Sequence, residues 1–289
     1  MRTLIPLISL LMPVVGYAAV NDILPGDYFP LQPGQKSLAV YAFDREFAGP
    51  YVAGRKLLDG EVSSRVIALR GARAFQAGDT TLAAVAVLPW SKTHAAPAPL
   101  AAAIGEQAKG FGDLRLGLTA WAINDKANAN YLGLSGMVIA PTGEYDARQV
   151  LNPSDNRWRV ILYAGWQKDI TPKWLIELSP EFAWYGNNDD YLGQRKLEQR
   201  ASYALTGYSR WRLSPAWHLH AGGQLNRGGE TRIDGVDQNN PANNTRLMAG
   251  MTWFLPERHQ LILRFARDVA NDNGFRSTRE VALRLQTVF

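Results

Sequence analysis

The chain ends "EVALRLQTVF" (280–289), and this stretch alternates strictly. One set of positions carries Val281, Leu283, Leu285, Thr287 and Phe289, and the other carries Glu280, Ala282, Arg284, Gln286 and Val288. Successive side chains on a β-strand point to opposite faces, so the pattern describes a strand with one apolar and one polar surface. Working back from the end, the same period of two recurs. In "KWLIELSPEFAWYG" (173–186), Trp174, Ile176, Leu178, Pro180, Phe182 and Trp184 alternate with Leu175, Glu177, Ser179, Glu181, Ala183 and Tyr185. In 157–169, Trp158, Val160, Leu162, Ala164 and Trp166 oppose Arg157, Arg159, Ile161, Tyr163, Gly165 and Gln167. The segments 201–213, 215–228, 245–255 and 260–268 repeat the arrangement, and 36–47, 61–75, 81–90, 112–124 and 129–141 follow it less regularly.

Segments of about ten residues with aromatics at the ends of the apolar rows are the pattern of a transmembrane β-barrel and its interfacial girdles. A soluble sandwich or lipocalin-like barrel would also alternate, but it has no reason to place Trp and Tyr at row ends. Linkers alternate as well. "ITPK" (170–173), "SPA" (214–216) and "PERH" (256–259) are tight, whereas 142–156, 187–198 and 227–244 are long and polar. The expected fold is therefore all-β, a transmembrane antiparallel up-and-down β-barrel of about twelve strands, with both strand termini on the periplasmic side. The segment 91–111, rich in Pro and Ala, fits no strand and is expected to be an external loop, with a short helix in the lumen as one option.

The first residues, "MRTLIPLISLLMPVVGYAAV" (1–20), combine Arg2, an apolar run from Leu4 to Val15, and small residues at Gly16 and Ala18. This is the layout of a secretory signal peptide over 1–18, cleaved near Ala18, followed by one barrel domain over 19–289. An uncleaved anchor is the alternative, but the run is shorter than the roughly 20 residues that span a bilayer. The chain has no cysteine, hence neither a disulfide nor a lipid on Cys. Its formal charge of +5 falls to +4 without Arg2, and no basic run points to nucleic acid.

Three stretches carry a family resemblance: "GFGDL" (110–114), "GLSGMVIAPTGEYD" (133–146) and "NPSDNRWRV" (152–160). With the N-terminal leader, they make the chain resemble the meta-pathway phenol-degradation family of outer-membrane proteins, similar in shape to fatty-acid and aromatic-hydrocarbon channels. The resemblance covers roughly 36–289. It implies an outer-membrane channel through which small hydrophobic or aromatic compounds enter passively, and it brings no catalytic residues with it. The alternative from another class is a structural or adhesive barrel with a plugged lumen and external loops that bind a partner.

The chemistry expected inside follows from the register. Asp113, Arg115, Arg159, Glu177, Glu181, Arg210, Arg212, Arg246, Arg264, Glu280 and Arg284 should face inward, where charge is tolerated far better than on the lipid face. They can form a structural Arg–Glu network, a ladder that tunes solute passage, or both. His218 and His220 should share the same inward face; no Cys and no nearby carboxylate completes a metal site, so no metal or other cofactor is expected. Trp121, Tyr163, Tyr185, Tyr208 and Phe254 are candidates to stack on an aromatic solute. No Gly-x-Ser-x-Gly elbow is present and an enzyme is not expected, a lipid-modifying one being the third choice. Expected partners are outer-membrane lipid and lipopolysaccharide, a small hydrophobic or aromatic solute, and the barrel-assembly machinery through Phe289, which resembles the terminal aromatic of outer-membrane proteins in general. The Asn- and Asp-rich external stretches 186–194, 234–244 and 270–275 are expected to be solvated turns, with Asp189 and Asp190 lacking the spacing of a calcium loop.

Overall fold

A computed structural model describes residues 22–289; the expected signal peptide and its cleavage site lie outside the described residues. The main sheet has fourteen strands, of which the short strands Arg55–Lys56 and Gln107–Phe111 are appended to the wall. The remaining twelve are β1 (Lys36–Val52), β2 (Glu61–Ala77), β3 (Thr80–Ala96), β4 (Leu114–Asp125), β5 (Asn130–Ala140), β6 (Arg159–Thr171), β7 (Trp174–Tyr185), β8 (Ser202–Arg212), β9 (Trp217–Gly228), β10 (Ala242–Leu255), β11 (His259–Asn271) and β12 (Gly274–Val288). Each pairs antiparallel with the next, and β12 returns to β1, so no edge is left open. No helix among the described residues is long and apolar enough to cross a membrane. Closure is the solution open to strands in a bilayer, because every backbone polar group must be satisfied within the wall.

The alternation read from the sequence sets the faces. Leu283 and Leu285 point outward while Glu280, Ala282 and Arg284 are buried inside. Trp174, Leu178 and Trp184 face out and Glu177, Ser179 and Glu181 face in. Near the short turns, Trp174 and Trp211 are register partners, as are Trp217 and Trp253, whose rings stack at 4.8 Å. Trp158, Trp184 and Tyr203 form the opposing rim. These two belts mark the bilayer interfaces. The C-terminal residue pairs with the start of β1: the Phe289 N–H donates to the Lys36 carbonyl at 2.9 Å, and its ring is exposed.

The external end departs from the sequence expectation in two places. The segment 91–111 is not one loop. β3 continues to Ala96, helix α1 (Ala98–Ile104) follows, and Gln107–Phe111 pairs back onto β3. Alternation was lost to view there because α1 contributes Leu100, Ala103 and Ile104 to an apolar cluster with Phe47, Val62, Val150 and Leu151, so this end of the wall has a core of its own. The external Asn/Asp-rich stretches also do more than turn. Strands Asn188–Tyr191, Arg195–Gln199, Thr231–Ile233 and Val236–Asp237 form a four-stranded sheet around Tyr191, Leu197 and Ile233, and Asp272 and Asn273 are all that separates β11 from β12.

Depth along the wall can be tested with one substitution at each level. Leu178→Arg, placed midway between the Trp174 and Trp184 belts, should cost about 2–4 kcal/mol, whereas Tyr203→Arg at the rim should cost about 0–1 kcal/mol. Reversible denaturation in lipid vesicles reads both values, and equal costs would contradict the assignment of these belts to the interfaces.

Candidate functional site: a divided lumen

The residues ahead of β1 have no periodicity, and the sequence reading passed over them. Residues 22–35 run from inside the barrel to its periplasmic rim. Leu24 is fully buried against Ala39, Tyr41, Phe43 and Ile262. The Leu24 N–H donates to the Asp27 carboxylate at 2.8 Å and closes a turn through Gly26. Gly26 has φ +85°, and a Cβ there would stand 3.2 Å from the Arg210 guanidinium, so both backbone and space call for glycine. Its N–H donates to Glu177 at 2.9 Å, and Glu177 in turn pairs with Arg210 at 2.5 Å. Tyr28 lies across the far wall over Gly133 and Gly165, which are register partners on β5 and β6. A Cβ at Gly165 would fall 2.0 Å from the Tyr28 ring. The Tyr28 hydroxyl is 3.0 Å from Ser179 Oγ, and Trp121 Nε1 donates to the Tyr28 carbonyl at 3.0 Å.

Charges lock the segment in place. Arg45 on β1 holds Asp22 at 2.8 Å and Glu280 on β12 at 2.7 Å. Glu280, with no exposed surface, also receives Arg246 at 3.4 Å and a short contact from Arg264. Arg264 donates to the Ile23 carbonyl at 3.2 Å and to the Tyr208 hydroxyl at 3.1 Å, while Tyr208 donates to the Ile23 carbonyl at 3.1 Å. Arg284 pairs closely with Asp27 and donates to Gln260 at 2.6 Å. Buried charges are stable only when paired and hydrogen-bonded, and here the partners come from strands on both sides of the closing seam.

The lumen is thereby divided. Against β1–β6 lies a cavity of about 250 Å³, floored by Asp22, Ile23, Asp27 and Tyr28 and roofed by the external loops through Tyr145, Asn188, Tyr191 and Thr231. Its wall carries Tyr41, Phe43, Val66, Val85, Val87, Met137 and Tyr163, with Arg45, Arg70, Arg115, Arg157 and Arg159 among them. None of the lining residues comes from β7–β12. At the roof, burial raises the Tyr145 and Tyr191 hydroxyls above the ordinary phenol range, so both remain neutral.

The residues singled out from the sequence divide accordingly. Arg115, Arg159 and Tyr163 are on the cavity wall, with Arg159 3.1 Å from Asp155 and 3.7 Å from Asp113. Glu177, Arg210, Arg246, Arg264 and Arg284 are in the packed half, and Trp121 and Tyr208 bind the N-terminal segment directly. Glu181 is buried facing inward. Arg212 makes a two-pronged bond to Asp169 at 2.7 and 2.8 Å near the periplasmic turns. His218 lies 3.3 Å from Arg210 and 4.8 Å from the Phe254 ring, and His220 sits edge-on to Tyr208 at 5.9 Å. The Tyr185 hydroxyl is 2.7 Å from Ser202, with Arg157 over its ring at 5.0 Å.

Arg45, Arg70, Tyr41 and Phe43 were missed. On β1 the inward row Ala39, Tyr41, Phe43 is as apolar as the outward row Leu38, Val40, Ala42, and alternation cannot tell two apolar faces apart.

The three motif stretches pack on one another at the external mouth. The Phe111 N–H donates to Glu144 at 2.9 Å, and the Glu144 N–H returns to the Phe111 carbonyl at 2.8 Å. Leu114 N–H donates to Thr142 Oγ1 at 3.0 Å. The buried Asp113 carboxylate accepts from Gly143 N–H at 3.1 Å and from Ser154 Oγ at 2.6 Å. Gly143 is obligatory, since a Cβ would lie 2.6 Å from the Gly112 carbonyl carbon.

The family described as "Putative MetA-pathway of phenol degradation" matches over residues 47–285. The chain belongs to this family. Among solved structures it is similar to an outer membrane channel from Pseudomonas putida F1, with 31% identity and a TM-score of 0.87 over 93% of this chain and 100% of that one. It also shares its fold with the β domain of the Bordetella autotransporter BrkA, at 13% identity and a TM-score of 0.52 over 89% and 100% of the two chains. No curated protein matches its sequence. Fold and family together make this an outer-membrane channel protein.

Removing the Glu280 charge tests the locking network. Glu280→Gln leaves Arg45, Arg246 and Arg264 without their shared carboxylate, and the expected loss is about 3–5 kcal/mol of unfolding free energy. A loss within about 0.5 kcal/mol of zero would show that the network does not hold the seam.

Proposed function

We propose that this barrel admits small hydrophobic compounds, aromatic ones above all, passively from the external side into the lumen. The observation that carries the reading is the cavity of about 250 Å³ between the external loops and the N-terminal segment. An apolar cavity of about 150 Å³ already holds benzene, so a substituted single ring fits this one. Tyr41, Phe43 and Tyr163 offer ring faces and edges, and Val66, Val87 and Met137 offer apolar contact. Arg70, which lines the cavity with Tyr41, places guanidinium donors beside them for a ring oxygen. The outer membrane channel from P. putida, which this chain matches over nearly its whole length, supports the channel part of this reading. Lumen residues that lock the segment would then act by fixing the floor, and those on β1–β6 by touching the solute. Phe289, exposed at the periplasmic rim, would be the residue presented to the barrel-assembly machinery.

The seated N-terminal segment favours a second reading, a plugged structural or adhesive barrel whose loops bind a partner. Uptake separates the two. Cells carrying the chain should accumulate labelled single-ring compounds such as phenol, toluene and benzoate faster than cells lacking it. Ala68→Trp, which fills the cavity from β2, should cut that advantage several-fold while leaving the amount of folded barrel unchanged. Equal entry with and without the chain, for every compound, would reject the channel for small aromatics and leave the plugged barrel.

A further inference from the structure

The outer surface of the barrel carries a charge pattern that neither lumen nor loops require. On β2 the outward row reads Arg65, Ile67, Leu69, and on β3 it reads Lys92, Trp90, Leu88. Arg65 is directly opposite Lys92, and Lys92 is directly opposite Lys109 on the short strand Gln107–Phe111. Three cations therefore stand side by side on three adjacent strands, all exposed. Like charges in directly opposed positions destabilise a sheet, so the arrangement has a cost within the protein itself. Arg65 is partly compensated by Asp44 at 3.2 Å, and Asp44 is shared with Arg279 at 2.8 Å. Among the described residues, neither Lys92 nor Lys109 has an ion-pair partner.

Depth gives the row its meaning. One pleat below it, Ile67, Trp90 and Phe111 are themselves register neighbours and form the external aromatic rung on this side. At the other end of the same strands, Lys36 and Arg73 pair across β1 and β2. From Arg65 to Arg73 is eight residues, roughly 27 Å along the strand and about 20 Å in height at the usual barrel tilt. That is most of the roughly 25 Å height of the apolar band, so Arg65, Lys92 and Lys109 stand close to where the acyl chains of the outer leaflet give way to its headgroups. With strands about 4.8 Å apart, the row spans roughly 10 Å, and a phosphate lodged between two of its members meets both.

We infer that Arg65, Lys92 and Lys109 form a binding site for the phosphates of an outer-leaflet phosphoglycolipid, lying just above the Ile67–Trp90–Phe111 rung that receives its acyl chains. The occupant is a lipid rather than free phosphate, because cations and apolar rung are one pleat apart and face the same way. The site is outside the lumen and independent of what passes through it.

The test is binding of diphosphoryl lipid A to the purified full chain in detergent, read by native mass spectrometry. A basic residue at a membrane surface contributes about a fivefold gain in affinity, so Arg65→Gln/Lys92→Gln/Lys109→Gln should weaken binding about a hundredfold. Lys36→Gln/Arg73→Gln, at the opposite rim, should leave it unchanged. Phosphate-free lipid A should bind the unsubstituted chain no better than diphosphoryl lipid A binds the triple variant, and millimolar inorganic phosphate should not displace the lipid. Folding of each variant is checked by its faster migration before heating. Should the triple variant fail to fold, Lys92→Gln alone serves, with an expected loss of about fivefold. Unchanged affinity in the folded variant, equal binding of the phosphate-free lipid, or equal loss in the opposite-rim variant would overturn the site, the last by reducing it to diffuse surface charge. Displacement by inorganic phosphate alone would overturn the lipid as its occupant.

Discussion

Glu280 is the point on which the rest of the structure depends. It lies on the last strand, directly opposite Arg45 on the first, so the closing seam of the barrel is bridged by a buried ion pair. The same carboxylate takes Arg246 from β10 and Arg264 from β11. Two of those arginines reach beyond it to the N-terminal segment, Arg45 to Asp22 and Arg264 to the Ile23 carbonyl. Closure of the wall and seating of the segment thus share one set of charges. A buried carboxylate among three guanidiniums is stable only as a complete set, which couples the two events.

That coupling explains why the lumen is asymmetric. The half against β7–β12 is occupied by paired charge: Glu177 with Arg210, Arg246 with Asp268 and Glu280, Arg284 with Asp27. The half against β1–β6 keeps an open cavity with a mixed aromatic, aliphatic and arginine wall. The Gly133 and Gly165 pair makes room for this floor, because a side chain at either position would meet the Tyr28 ring that lines the cavity. On the proposed reading, the seated segment is the floor of the chamber in which a small solute would be held.

The barrel was legible because each strand separates two solvents, and that separation writes itself into a period of two. Where one face meets lipid and the other meets charge, as at Leu283 and Arg284, faces and register were plain in the sequence. Where both faces are apolar, as at Leu38 to Phe43, the wall was visible but not which side was inside. The N-terminal segment was invisible for another reason. Its contacts join residues as far apart as Asp27 and Arg284, and a turn held by side chains from distant strands leaves no local period. The surviving signal was "DILPGDYFP" (22–30), acidic residues around a Gly turn with apolar neighbours, which has a purpose only once the inward arginines are known. The same distance hid the division of labour among those arginines. Alternation placed them inside, but only their partners show that Arg264 and Arg284 hold the floor while Arg115 and Arg159 line the chamber.

The central claim is that residues 22–35, seated through Tyr28 and the charge network, close the path between chamber and periplasm. Single-channel conductance in planar bilayers tests it most directly, comparing the unsubstituted chain with Gly165→Val, whose side chain occupies the place of the Tyr28 ring. The account predicts small or rare conductance steps for the former and larger, longer-lived steps for the latter. Indistinguishable conductance from two equally well-folded barrels would contradict it.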